Sequence, residues 1–136
     1  MKSRTRPPAA VALPAPTEAE LEILRELWQR GPSTVREIHD QLAATKTVGY
    51  TTILKQMQVM NRKGLVRRSE RFRSHVYEAA RTRPATERQI VTTLLANLFE
   101  GSARGLVQSA LAGRKVDADE LREIRQLLDQ HERGKK

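Results

Sequence analysis

Apolar residues recur at helical spacing in the first third of the chain and predict two amphipathic helices. The first begins at Thr17, because Thr17 and Glu20 have the spacing of a capping box, and the turn Gly31-Pro32 ends it. Thr34 and Glu37 repeat this spacing and predict the start of a second, shorter helix. The apolar positions of the two helices are Leu21, Ile23, Leu24, Leu27, Trp28, Val35, Ile38 and Leu42.

A third helix is predicted from Gly49 or Tyr50 to Lys63, with Gly64 as the residue that ends it. Its buried face is predicted to carry Ile53, Met57 and Met60. The opposite face is polar and basic, and the whole segment lacks carboxylates. Exposed helices usually carry acid–base pairs one turn apart, whereas a helix that lies against DNA phosphates is expected to carry few acidic groups. The outward residues are Thr51, Thr52, Lys55, Gln58, Val59 and Arg62.

Two short runs of β-forming residues follow Gly64 and predict a hairpin. The runs are 65–69 and 75–78, and a polar, basic tip separates them. Three helices followed by a two-stranded hairpin is the element order of a winged helix-turn-helix, in which the hairpin is the wing. The sequence therefore predicts a mainly α fold with a small β-hairpin wing over residues 17–80.

Beyond the hairpin, three further apolar stripes predict helices and no strand. They cover 86–99, 103–111 and a last segment that starts at the capping pair Asp117 and Glu120. This region, residues 84–132, is too small to enclose a core of its own, so it either folds back on the winged helix or pairs with a second copy. We favour a homodimer, because the sequence predicts no other apolar surface through which two copies could pair. The predicted dimer-interface residues are Ile90, Leu94, Leu98, Leu106, Leu121, Ile124 and Leu128.

The formal net charge of +9 is concentrated in one stretch of the chain. Residues 46–83 hold ten basic and two acidic side chains, while 1–45 hold six of each and 84–136 hold nine basic and eight acidic. A single-sign block in an otherwise balanced chain favours a polyanionic partner, and nucleic acid is preferred here over an acidic protein or a membrane surface. Residues 1–16 are basic and contain four prolines, which predicts a disordered arm.

In a winged helix, the first turns of the third helix enter the major groove and the wing follows the DNA backbone. Lysine suits guanine edges or phosphate, glutamine suits adenine, and threonine suits thymine methyls or phosphate. Thr51 could instead cap its helix and Gln56 could pack beside the core, and Arg67 and Arg68 could pair with acidic residues of the hairpin. The predicted DNA-contacting residues are Thr34, Thr51, Thr52, Lys55, Gln56, Arg62, Arg71 and Arg73.

The sequence does not indicate a metal site, a cofactor, an enzyme or a membrane span. It has no cysteine, and its three histidines, His39, His75 and His131, fall on separate predicted elements, so we expect no metal and no cofactor. No nucleophile with a nearby base, phosphate-binding loop or carboxylate pair indicates an enzyme. No apolar run reaches the roughly 18 residues of a membrane span. We therefore expect a cytoplasmic protein without a membrane association.

Taken together, these segments resemble the penicillinase-repressor family, the BlaI/MecI type of bacterial winged-helix repressors. The similarity covers residues 13–130 in matching order and spacing. In one departure, Phe72 stands where the family commonly has a glycine before the Arg73 position. The matching segments are Thr34-Val-Arg-Glu-Ile38, Tyr50-Thr-Thr-Ile-Leu54, Lys63-Gly-Leu-Val-Arg67, the wing strand 73–77, Phe99-Glu-Gly-Ser102 and Asp119-Glu-Leu-Arg-Glu-Ile124.

The resemblance implies a homodimer that represses transcription from palindromic double-stranded DNA operators and dimerises through its C-terminal helices. It also implies a sensor protease as a partner, because similar repressors are released when a membrane sensor pathway cuts within those helices. In the repressors of β-lactam resistance the cut bond is an Asn-Phe pair, and the corresponding bond here is Ser109-Ala110. The copper-responsive branch binds metal through cysteines, which this chain lacks.

Two alternatives from other classes stay open at the level of the sequence. A basic winged helix could serve as an adaptor that binds an acidic protein, and it would then prefer no DNA fragment. A nucleoid-type protein would bind DNA without sequence preference, although pure phosphate binders carry Lys and Arg throughout their contact face. The mixed polar face of the third helix favours a sequence-specific repressor over this last alternative.

Overall fold

The computed structural model describes residues 15–71 and 73–134, with Arg71 described in its backbone only. The predicted disordered arm at 1–16 lies outside the described residues except for Ala15 and Pro16. Contacts divide the chain into one compact unit up to Thr93 and a second unit from Leu94 onward. The sequence-based boundaries of 17–80 and 84–132 for the two functional regions stay predictions.

The first three helices begin and end at signals that are visible in the sequence. They are α1 (Glu18–Arg30), α2 (Val35–Ala43) and α3 (Tyr50–Lys63). Both predicted capping boxes are present: Thr17 and Thr34 each exchange hydrogen bonds with the glutamate three residues later. Gly64 ends α3 with a left-handed φ of 84°, a conformation that glycine adopts without steric cost.

One hydrophobic core joins these helices to the hairpin. It lies between the apolar stripes of α1, α2 and α3 and is closed by residues at the base of the hairpin. The methionines of α3 are fully buried and pack as unbranched fillers. The core residues are Ile23, Leu24, Leu27, Val35, Ile38, Leu42, Ile53, Met57, Met60, Leu65, Val66 and Tyr77.

The predicted hairpin consists of strands β1 (Val66–Arg71) and β2 (Ser74–Ala79), paired antiparallel from Val66 opposite Ala79 to Arg71 opposite Ser74. A third segment, which the sequence did not suggest, extends the pairing. Ser33, between α1 and α2, forms a bridge with Tyr77 through hydrogen bonds of 2.9 and 2.8 Å. Since Tyr77 is also in the core, the wing is anchored both to the helices and to the turn that precedes α2.

The C-terminal part is helical, as predicted, with α4 (Arg83–Leu98), α5 (Ala103–Ala112) and α6 (Ala118–Gly134). α4 begins three residues before the predicted start at Thr86. Thr82 accepts a hydrogen bond from the Ala85 amide and caps the helix, while Pro84 sits in the first turn, where its missing N–H costs nothing. The mainly α fold with a β-hairpin wing is therefore confirmed.

Candidate nucleic-acid interface

The outward face of α3 presents polar and basic side chains without any acidic residue. Thr51, Thr52, Lys55 and Arg62 are exposed, and Gln56 is half-buried at the edge of the face. The opposite side of the helix is held in the core, which fixes the face that points outward. The N-cap residue of α3 is Gly49, so the alternative in which Thr51 caps the helix does not apply.

Ion pairing divides the basic block of residues 46–83 into two groups. Four members contact carboxylates: Lys46 with Glu22, Lys63 with Glu20, Arg67 with Glu78, and Arg83 with Glu87. Within the part of the chain that the structure describes, the remaining cations have no carboxylate within 4.0 Å, and most of them lie on α3 or the hairpin. These cations are Lys55, Arg62, Arg68, Arg73 and Arg81.

The wing places one of its predicted phosphate ligands at an unusual backbone position. Arg73 is exposed and has a φ of 67°, in the left-handed region that non-glycine residues rarely adopt. Glu70 faces His75 across the hairpin at 3.7 Å, and Arg67 pairs with Glu78 across the strands, as one of the sequence alternatives proposed. A DNA contact by Arg71 stays a prediction, since only its backbone is described.

Thr34 has a structural role that accounts for its residue type. Its hydroxyl oxygen accepts a hydrogen bond from the Glu37 amide at 3.1 Å, and the Glu37 carboxylate accepts one from the Thr34 amide at 2.9 Å. These bonds fix the N-terminus of α2. A DNA contact by Thr34 is a prediction that adds to this capping function.

Sequence reasoning missed a cluster at the junction of α2 and α3. The guanidinium carbon of Arg36 lies 4.7 Å from the ring centre of Tyr50, and the His39 ring meets the same tyrosine edge-on at 5.9 Å. His39 Nε2 lies 3.0 Å from the carbonyl oxygen of Val48. Arg36 falls in the stretch with zero net charge, so the charge block did not indicate it. Only the spacing of Arg36 and His39 on one helix face could have suggested a shared neighbour.

The C-terminal unit leaves much of its apolar surface uncovered in a single chain. Leu98, Leu127 and Leu128 are each more than 60% exposed. Among the predicted interface residues, Leu94, Leu98 and Leu128 are exposed, while Ile90, Leu106, Leu121 and Ile124 are half-buried. An apolar depression of about 510 Å³ lies between α5 and α6, and it is lined by Ala103, Arg104, Val107, Gln108, Leu111 and Leu128.

Among the described residues, no group of three or more His, Cys, Asp or Glu side chains is arranged to hold a metal ion. None of the helices in the described ranges combines the length and the hydropathy that crossing a bilayer requires.

Three helices around one core, a two-stranded wing and a basic outward face on α3 define a winged helix-turn-helix protein. Residues 16–130 match the family model described as penicillinase repressor. The chain belongs to this family, whose members are transcriptional repressors and not enzymes.

Curated relatives share most of their length with the chain. It is 30% identical over 120 residues to the transcriptional regulator BlaI of Mycobacterium tuberculosis (strain ATCC 25618 / H37Rv), covering 86% of this chain and 85% of that protein. It is 23% identical over 128 residues to the penicillinase repressor of Bacillus licheniformis, covering 91% and 97%. A solved ArsR-like transcriptional regulator from Rhodococcus sp. RHA1 aligns with a TM-score of 0.41 and 25% identity, over 71% of this chain and 83% of that one.

Proposed function

We propose that the protein is a sequence-specific transcriptional repressor that binds palindromic operator DNA as a homodimer. The observation that carries the proposal is the outward face of α3, which is exposed, free of carboxylates and supplied with unpaired cations. Membership in the penicillinase-repressor family and the names of the two relatives, a transcriptional regulator and a penicillinase repressor, support a role in repressing transcription.

In this proposal, α3 enters the major groove with Thr51, Thr52, Lys55 and Gln56 toward the base edges. Lys55 donates to guanine or phosphate, Gln56 reads adenine, and the threonine methyl groups contact thymine methyls. Arg62, in the last turn of α3, contacts the backbone because it lies away from the turns that enter the groove. Phosphate contacts set the register and base contacts set the sequence preference.

Phosphate contacts by the wing complete the interface. Arg73 at the hairpin tip, with Arg71 beside it, is proposed to neutralise backbone phosphates next to the site read by α3. The base of the hairpin is held in place because β2 pairs with Ser33 and contributes Tyr77 to the core.

The homodimer is proposed to form through the C-terminal unit. A monomer would expose Leu94, Leu98 and Leu128 to water together with the depression between α5 and α6. A contiguous apolar surface on a small helical unit is typical of a subunit interface. A homodimer carries two copies of α3, which matches one half-site of a palindrome per protomer.

The experiment that tests the proposal begins with selection of duplexes from a random library by the wild-type chain. Binding of the selected duplex and of a mixed-sequence duplex is then measured across a salt titration. We expect Lys55→Gln to weaken the selected duplex by about tenfold and to reduce the preference over mixed sequence. Arg25→Gln is the matched control, because Arg25 is exposed on α1 and lies outside the proposed interface.

The possible outcomes distinguish three functions for this fold. Selection of a common sequence supports a specific repressor. Tight binding with no selected sequence would instead favour a nucleoid-type protein, and no binding of any duplex would favour the adaptor. If Lys55→Gln behaves like Arg25→Gln on a selected duplex, α3 is not the recognition helix.

Release of the repressor is proposed to involve a protease of a sensor pathway that cuts within α5. Ser109 and Ala110 are both exposed on this helix, at the position that corresponds to the cut bond of similar repressors. Mass spectrometry of the chain recovered from cells before and after β-lactam exposure tests this. A fragment ending within 103–112 is the expected product, and derepression with an intact chain would contradict it.

A further inference from the structure

Arg36 and Tyr50 form a stacked pair beside the start of α3. The guanidinium of Arg36 lies over the face of the tyrosine ring at 4.7 Å, within the range of a cation–π contact. Tyr50 is the first residue of α3 and directly precedes Thr51 and Thr52. The pair therefore adds a cation from α2 to the end of α3 that is proposed to enter the major groove.

The tyrosine ring also contacts His39, a second residue of α2. His39 packs edge-on against the ring at 5.9 Å, and its Nε2 lies 3.0 Å from the Val48 carbonyl oxygen in the connection between α2 and α3. The ring therefore contacts two residues of α2, and these contacts restrict the orientations open to the Arg36 guanidinium. A preoriented guanidinium loses less conformational freedom on binding than a free one.

The carboxylates near Arg36 are engaged elsewhere. Glu37 caps α2 and lies 3.9 Å from Arg30, and Asp40, one turn after Arg36, contacts His39 Nδ1 at 3.2 Å. In residues 15–71 and 73–134, no acidic side chain lies within 4.0 Å of Arg36. Its positive charge is therefore available to a ligand.

The pair also borders a groove that connects the helices with the wing. The groove has a volume of about 250 Å³, and its lining includes Thr34, Arg36, Tyr50, Leu54, Ser74 and His75. A DNA strand that passes between a recognition helix and a wing carries its phosphates past such a position. The flat guanidinium is suited to phosphate oxygens, because it can donate two parallel hydrogen bonds.

We propose that Arg36 binds a backbone phosphate of duplex DNA and that Tyr50 is the positioning residue that holds its guanidinium. The inference rests on the proposed DNA-binding function and extends it to α2, which the charge pattern did not indicate. The contact is to phosphate, so it is independent of base sequence.

The test measures binding of the full-length chain to a mixed-sequence 30-base-pair duplex over a salt titration. Arg36→Gln is expected to weaken binding by about tenfold and to make the slope of log K against log salt shallower by about one per protomer. Arg36→Lys should keep the slope but not the full affinity, because ammonium lacks the paired donors. Arg25→Gln removes the same charge from α1 and should leave both quantities unchanged.

Variants of Tyr50 separate positioning from charge. Tyr50→Phe keeps the ring and should bind within about twofold of wild type, whereas Tyr50→Leu should bind about threefold weaker with an unchanged salt slope. Circular dichroism melting shows whether each variant is folded, and Arg36→Gln, at an exposed position, serves as the variant that does not depend on packing.

The outcomes distinguish this inference from the function on which it rests. If the wild-type chain fails to bind duplex DNA, the proposed function falls and the inference falls with it. If the wild type binds but Arg36→Gln matches Arg25→Gln in affinity and slope, only the inference is overturned.

Discussion

The Lys63 ammonium lies 2.9 and 2.8 Å from the two carboxylate oxygens of Glu20, which joins the last residue of α3 to the first turn of α1. One of these oxygens, Oε1, also accepts a hydrogen bond of 2.9 Å from the Thr17 amide as part of the α1 cap. The Glu20 residue is only 6% exposed. A largely buried ion pair therefore connects the end of α3 to α1, and this pair helps to fix the orientation of α3 relative to α1.

Removal of the lysine is expected to destabilise the fold. Lys63→Met leaves the Glu20 carboxylate buried without its counter-charge, and we expect a loss of about 1–3 kcal/mol in the free energy of unfolding, measured by urea denaturation. Lys46→Met breaks the more exposed pair with Glu22 and serves as the control, with an expected loss below about 1 kcal/mol. Equal losses in the two variants would mean that burial of Glu20 has no energetic consequence.

The same pair predicts a dependence of stability on pH. Burial acts to raise the pKa of Glu20, but the Lys63 hydrogen bond and charge and the bonds with Thr17 outweigh burial, so the pKa lies below its ordinary value. A carboxyl with a lowered folded pKa stabilises the protein above its unfolded pKa of about 4.3, and this contribution is lost as the pH falls through the folded value.

Glu20→Gln tests this dependence because it removes the titrating group but keeps a polar side chain. Urea midpoints of wild type and variant should differ most at neutral pH and should converge as the pH falls below about 4. Glu22→Gln, at an exposed pair, should show a smaller difference throughout. A gap between Glu20→Gln and wild type that stays constant down to pH of about 3 would contradict the lowered pKa.

Local signals in the sequence were sufficient for most of the fold. These signals are the two capping boxes, the glycine after Lys63 and the spacing of the apolar positions. Each involves residues within about four positions of one another, and together they predict the helices and the hairpin. The apolar pattern predicts the start of α4 at Thr86, three residues later than the observed start at Arg83. The first turn of α4 contains Pro84 and no residue of the apolar stripe, although a proline in the first turn is compatible with a helix.

Long-range contacts account for what the sequence did not predict. The Ser33–Tyr77 bridge and the Arg36–Tyr50 stack join residues far apart in the chain, and no periodicity encodes such pairs. For the candidate interface, residue type and helix phase were enough to choose the face of α3. The structure was needed to identify the cations that have a carboxylate partner, because Lys63 pairs with a glutamate 43 positions earlier in the chain.

A substitution at the tip of the wing is expected to separate DNA binding from stability. Arg73→Asn removes the charge and places a residue that tolerates the left-handed φ of 67°, so the free energy of unfolding should change by less than about 0.5 kcal/mol. Affinity should fall by the same factor on selected and mixed-sequence duplexes, with a salt slope shallower by about one per protomer. A loss confined to the selected duplex would instead place Arg73 at base edges.

A charge on the exposed stripe of α4 is expected to break the proposed dimer. Leu98 is 66% exposed in the single chain, so Leu98→Glu can be accommodated by the isolated fold but would bury an unpaired carboxylate in an apolar interface. Sedimentation equilibrium should show a monomer at concentrations where the wild type is a dimer. Affinity for the selected palindrome should fall by about a hundredfold or more, because two half-sites are no longer bound by one linked pair.

Ala96→Glu is the matched control for this substitution. It places the same charge at another exposed position of α4, about 160° around the helix from Leu98 and away from the stripe formed with Ile90 and Leu94. The control should remain a dimer and keep its affinity for the palindrome. If both variants stay dimeric, this part of α4 lies outside the interface. If both become monomeric, the interface extends around the helix beyond the predicted leucine stripe.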